Sequence, residues 1–70
     1  MAERRLGNRL KDLRAKRGLT QAELAVLAGV SRKTINTVEN DVFVPSTMLA
    51  LVLAEALGTR VEDLFFLTGD

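Results

Sequence analysis

The sequence predicts an all-α fold, a bundle of five short helices forming one domain over residues 1–70. Three observations lead there. The apolar residues, 47% of the chain, are mostly Leu, Ala and Val, with three Phe and neither Trp nor Tyr, a palette that suits packed helices better than sheets. Capping residues and glycines punctuate the chain at helical intervals. No segment alternates with period two over a useful length, since Val42-Phe43-Val44 is short and runs into Pro45.

The first helix is expected from about Leu6 to Arg17, with Leu6, Leu10 and Leu13 on one face and Gly18 as its stop. Thr20-Gln21-Ala22-Glu23 reads as a capping box opening a second helix to about Ala28, with Leu24, Ala25 and Ala28 inward. Gly29 ends it, and Ser31 caps a third helix to about Asn40 whose apolar stripe is Ile35 and Val38. Pro45-Ser46 starts a fourth, to about Leu57, stopped by Gly58. Thr59-Arg60-Val61-Glu62 reads as a second capping box and opens a last short helix with Val61, Leu64 and Phe65 inward.

Without cysteine or histidine, the chain has neither disulfides nor thiolate or imidazole metal ligands, so its stability rests on the apolar core. The longest apolar run, Met48–Ala54, is far short of the roughly 20 residues that span a bilayer. The polar start, with Arg4, Arg5 and Arg9, is no signal peptide. A cytoplasmic protein without membrane association is the expectation. Catalysis is not expected: there is no His, Cys or Tyr, no Gly-rich phosphate loop and no metal cluster, and Glu62-Asp63 reads as helix-start charge. No cofactor or metal is expected either.

The net charge of +1 hides a split: residues 1–33 carry nine Lys or Arg against three acids, residues 34–70 one Arg against six acids. Such a chain presents one basic and one acidic face, and the basic one suits a polyanion. Residues 20–40 are the informative stretch: two capped helices joined at Gly29, a tight turn needing positive φ, with Ala25 small where the helices approach and Val30 and Ile35 filling the wedge. That is a helix-turn-helix. With Val30, Thr34, Ile35 and Val38 inward, the opposite face of its second helix is Arg32, Lys33, Asn36, Thr37 and Asn40, all polar. Arg32 and Lys33 can donate to guanine O6 and N7, Asn36 can pair with adenine, and the Thr37 methyl can pack on a thymine methyl. A solvated helix face is the other reading of Asn36 and Thr37.

Gln21-Ala22-Glu23-Leu24-Ala25, Gly29-Val30-Ser31, Ile35 and Glu39-Asn40 resemble the Cro/C1-type (Xre-like) helix-turn-helix family of phage and bacterial repressors. The resemblance extends to Leu10, Leu13, Arg14 and Gly18-Leu19 before this stretch and to Pro45-Ser46, Ala56-Leu57-Gly58 and Val61–Phe65 after it. It implies a lambda-repressor-like domain whose third helix enters the major groove of double-stranded DNA, making the chain a transcriptional regulator, a repressor by expectation. It further implies phosphate contacts from Gln21, Asn40 and the Ser31 cap, and a partly buried salt bridge between Arg14 and Glu39. The alternative for Arg14 is a direct phosphate contact. One departure bears on DNA affinity: the family commonly has Gly then Lys or Arg after Glu-Asn, where this chain has Asp41-Val42.

The apolar circumference of the fourth helix leads to a further expectation, a homodimer on a palindromic operator, with Leu49, Leu53, Phe66 and Leu67 at the interface. Two other readings share these features. One is an antitoxin-like regulator whose main contact is another protein. The other is the DNA-binding head of a longer ligand-sensing regulator, to which Val44-Pro45-Ser46-Thr47 and Val61–Phe65 also bear a resemblance. The sequence names no effector ligand.

Overall fold

The chain runs β1 (Arg4–Asn8), α1 (Leu10–Lys16), α2 (Gln21–Ala28), α3 (Arg32–Glu39), α4 (Thr47–Ala56), α5 (Val61–Leu64) and β2 (Phe65–Gly69), in a computed structural model that describes residues 3–69. The helix punctuation follows from local chemistry. Thr20 Oγ1 accepts the Glu23 N–H at 3.0 Å while the Glu23 carboxylate accepts the Thr20 N–H at 2.9 Å, a complete capping box. Ser31 and Ser46 cap α3 and α4 through the N–H groups of Thr34 and Leu49. Gly29 closes α2 at φ 71°, a conformation costing an L-residue about 1–2 kcal/mol.

Among the described residues there are five helices, but the fold is not strictly all-α. Leu6–Arg9 do not extend the first helix, and Phe65 does not complete the last. Instead the two ends of the chain pair as an antiparallel two-stranded sheet, Leu6 opposite Leu67 and Asn8 opposite Phe65. Local causes stop both helices. Asn8 Oδ1 accepts the Leu10 N–H at 3.0 Å and starts α1 there, since a short polar side chain competes with the helix for backbone donors. At the other end Phe65 is already extended, and the Leu64 carbonyl accepts the Arg9 N–H at 2.9 Å. The capping box expected at Thr59 does not form either: the N-cap is Arg60, with no side-chain cap, and Arg60 pairs instead with Glu62 on the surface.

The sheet matters for packing. Successive strand residues point to opposite faces. Phe65 and Leu6 therefore turn to the core, while Gly7 and its partner Phe66 lie on the outer face, where Arg9 stacks 4.4 Å from the Phe66 ring centre. A Cβ on Gly7 would collide with the edge of that ring. Gly7→Ala is thus expected to turn the half-exposed Phe66 ring away from Arg9 and destabilise the fold by roughly 0.5–1.5 kcal/mol, the cost of forcing a side chain off its rotamer, measured as a lower urea midpoint. An unchanged midpoint would show that the ring moves aside freely.

The core is Leu10, Leu24, Ala25, Ile35, Val38, Leu53, Ala54, Leu57, Leu64 and Phe65, drawn from every helix and from β2. It fixes α2 against α3 and seats α2 on α4. One expected interface residue is absorbed here. Leu53 is fully buried, so it has no surface to offer a partner. Helical spacing turns one side of α4 inward through Leu53, Ala54 and Leu57 and leaves Met48 and Leu51 outside.

Candidate nucleic-acid interface

The presented surface is the outer side of α3. Arg32, Lys33 and Asn36 are exposed there, and Asn40 follows as the exposed C-cap, its Nδ2 donating to the Asn36 carbonyl at 2.8 Å. Thr37 is less available: it is half-buried, and its hydroxyl donates to the Thr34 carbonyl at 3.0 Å, leaving the methyl as its free chemistry. Ser31 is exposed, but its oxygen is occupied as the cap and by the Thr34 hydroxyl at 3.0 Å.

Behind this surface a polar network ties three helices together. Arg14 Nε donates to Glu39 Oε2 at 2.6 Å, Arg14 Nη2 donates to Oε1 at 3.3 Å, and Gln21 Nε2 donates to the same Oε1 at 3.0 Å. Arg14 Nη1 also donates to the Leu19 carbonyl at 2.8 Å. The Glu39 side chain is 3% exposed. Burial pushes its carboxyl upward, but the hydrogen bonds from Arg14 and Gln21 and the charges of Arg14 and Lys11 outweigh burial and hold it below the ordinary carboxylate range. The Glu39 hydrogen bond in turn raises the Arg14 guanidinium, against the opposing effect of burial. The pair therefore stays ionised and holds the end of α3 to α1 and to the start of α2.

Gln21 belongs to this network as well as to the surface. Its amide nitrogen carries two protons, one directed to Glu39 and one left for another acceptor. Thr20, Gln21, Ala22 and Arg32 line one open groove at the N-terminus of α2, which brings Arg32 beside the first backbone donors of that helix.

Two features escaped sequence reading. Asn8 reaches across from the end of β1, its Nδ2 donating to the Val38 carbonyl at 3.0 Å and to Asp41 Oδ1 at 2.9 Å. This contact explains Asp at a place with φ 60°: the carboxylate is held by Asn8, and Asp is among the residues that tolerate that backbone. The second feature is the loop after α3. The N–H groups of Val42 and Phe43 both donate to the Thr37 carbonyl, at 2.9 and 3.2 Å, pinning both residues beside Lys33 and Thr37.

The expected interface residues are dispersed. Leu49 is half-buried against the core, Leu53 lies within it, and Phe66 and Leu67 are on opposite faces of β2 because they are adjacent in a strand. Leu67 is 59% exposed. Its partner Leu6 borders an apolar groove of about 360 Å³ that also includes Val44, Pro45, Ala50, Leu51 and Val61.

Among the described residues no helix is long and apolar enough to cross a membrane. A tight glycine-hinged pair of helices, the second presenting cations and amides from a braced frame, is the architecture of a duplex-DNA reader. A family model described as a helix-turn-helix domain matches residues 5–65. The uncharacterized HTH-type transcriptional regulator YgzD of Bacillus subtilis is 40% identical over 60 residues, covering 86% of this chain and 91% of that protein. The immunity repressor protein of Bacillus phage phi105 is 39% identical over 57 residues, 81% of this chain but 40% of the repressor. Among solved structures, the restriction-modification controller protein C.AhdI of Aeromonas hydrophila superimposes with a TM-score of 0.76 at 36% identity, covering 79% of this chain and 83% of its own. The chain belongs to the helix-turn-helix domain family of Cro/C1-type (Xre-like) transcriptional regulators.

Proposed function

We propose that the protein represses transcription by binding a palindromic operator as a homodimer, each subunit laying α3 in the major groove. The observation that carries the reading is the exposed set Arg32, Lys33 and Asn36 on a helix whose far end is locked by the buried Arg14–Glu39–Gln21 network. A reading helix must hold its donors in register with base edges, and the ion pair supplies that stiffness. In this reading Arg32 and Lys33 donate to guanine, Asn36 pairs with adenine, and the Thr37 methyl meets a thymine. The second amide proton of Gln21, the backbone N–H groups at the start of α2, the Ser31 hydroxyl and Asn40 hold phosphates. The immunity-repressor relative supports the repressor assignment. Selection of bound duplexes from a random pool tests it: recovery of an inverted repeat is expected, and a pool that stays random would refute sequence-specific binding.

The dimer rests on the groove bordered by Leu6, Val44 and Leu51, flanked by exposed Met48 and Leu67. An apolar patch of this kind calls for a partner, and a second copy pairs it with itself about a two-fold axis. Two reading helices then meet half-sites roughly 34 Å apart. Sedimentation equilibrium should give twice the 7.7 kDa chain mass. Leu51→Glu with Leu67→Glu should give the monomer, still folded because both positions are exposed, and weaken two-half-site binding by roughly a hundredfold. A wild-type monomer, with or without operator, would overturn the dimer.

A further inference from the structure

Val42, Phe43 and Val44 are consecutive exposed apolar residues in the loop after α3, a run that costs solubility unless the surface has a use. Val44 borders the groove assigned above to the dimer, but Val42, 77% exposed, and Phe43 do not. Those two turn to α3 instead: with Ser31, Lys33, Thr34 and Thr37 they line a groove of about 340 Å³. Internal hydrogen bonds leave this groove little polar chemistry to offer. The N–H groups of Asp41, Val42 and Phe43 are all spent on the Val38 and Thr37 carbonyls, so none of them is available to a phosphate. The Ser31 and Thr34 hydroxyls bond each other, and the Thr37 hydroxyl donates to the Thr34 carbonyl. What remains is a set of methyl groups, one aromatic ring and the Lys33 ammonium.

Resting on the DNA-binding reading above, we propose that Val42 and Phe43 form, with the Thr37 methyl, an apolar cleft that reads the C5-methyl of a thymine. The loop is then a second determinant of sequence specificity beside α3. Lys33 and Thr37, which contact bases in that reading, belong to the lining of the same groove, so the loop borders the same base edges. In the major groove the apolar group a base pair presents is the pyrimidine C5-methyl. Thymine is its source in unmodified DNA, and 5-methylcytosine carries the same group. The loop wall is preformed. Phe43 also lines a small inner pocket with Leu6, Val38 and Phe65, which seats it against the core. Asn8 Nδ2 donates to the Asp41 carboxylate at 2.9 Å and holds the loop at its first residue. A wall already in place has little ordering entropy left to lose when DNA arrives.

The experiment replaces each thymine of the selected duplex in turn by deoxyuridine, which deletes only the C5-methyl, and measures binding by the full chain. One position in each half-site is expected to lose roughly fourfold in affinity, the worth of one buried methyl. Val42→Ser, a change at an exposed position, should shrink that penalty to about twofold or less and leave every other position as in wild type. Cytosine at the sensitive position should bind more weakly than 5-methylcytosine by the same roughly fourfold factor. Tighter binding of 5-methylcytosine than of thymine would overturn thymine as the source of the methyl. A full uracil penalty in Val42→Ser would leave Thr37 as the sole reader and refute the role of the loop. So would a variant that weakens thymine and uracil duplexes alike at every position, because Val42 would then touch the sugar–phosphate backbone. Wild-type indifference to uracil at all positions would overturn the cleft while leaving DNA binding intact. Failure of the wild-type chain to select any duplex would remove the underlying reading itself.

Discussion

Arg14→Met is expected to destabilise the fold by roughly 3 kcal/mol, because it leaves a carboxylate that is 3% exposed with Gln21 as its main remaining donor. Glu39→Gln should cost less than the loss of Arg14, and the double variant should cost less than the sum of the two single ones. Urea denaturation of the four proteins closes a double-mutant cycle, and a coupling energy near zero would show that the pair is not an energetic unit. The pH dependence has a definite sign. The folded Glu39 carboxyl is held below its ordinary value, so it contributes stability that is fully present above the unfolded value of about 4.3 and is lost as pH falls through the folded value. Wild type should lose this contribution on acidification below about pH 4, and Glu39→Gln should not. The consequence for function is geometric. Freed from α1, the end of α3 would rock, and DNA affinity would fall before the protein unfolds.

Arg32→Ala is expected to cost roughly 1–3 kcal/mol at the selected operator and to relax preference at a single base pair. Arg32 is the first residue of α3, where recognition helices of this class meet base edges. It also lines the groove at the N-terminus of α2, beside Gln21 and Ala22, where a phosphate would sit. The two roles separate cleanly in binding to a panel of operators, each altered at one base pair. A guanine contact makes one altered operator equal to the parent in the variant, whereas a phosphate contact weakens every operator alike and would refute base readout by Arg32. Lys33→Ala provides the internal comparison, being exposed on the same turn without lining that groove.

The legibility of the fold followed the range of the interactions that made each element. The capping box at Thr20 and Glu23, the serine caps at Ser31 and Ser46, and the left-handed glycine at Gly29 act within three or four residues, and each could be read directly. The apparent helix over Leu6–Arg17 illustrates the reverse. Leu6, Leu10 and Leu13 keep helical spacing, yet Leu6 reaches the same core from a strand, because Asn8 breaks the helix between them. Thr59 mimics a cap by type and spacing, but the chain turns one residue later at Arg60. Phe66 and Leu67 look like one apolar patch until strand geometry sends them to opposite faces.

By itself, then, the sequence determined the helix-turn-helix, the polar outer side of its second helix and the family to which the chain belongs, because caps, a glycine turn and helical periodicity are local and repeat the same physics wherever they occur. Only the tertiary structure decided that residues more than fifty positions apart pair in a sheet, that Leu53 is core and Leu51 is surface, and that Asn8 holds β1 against the end of α3. Those outcomes depend on which distant groups meet in three dimensions. Pairing across so long a loop is stabilised by contacts that no local window contains.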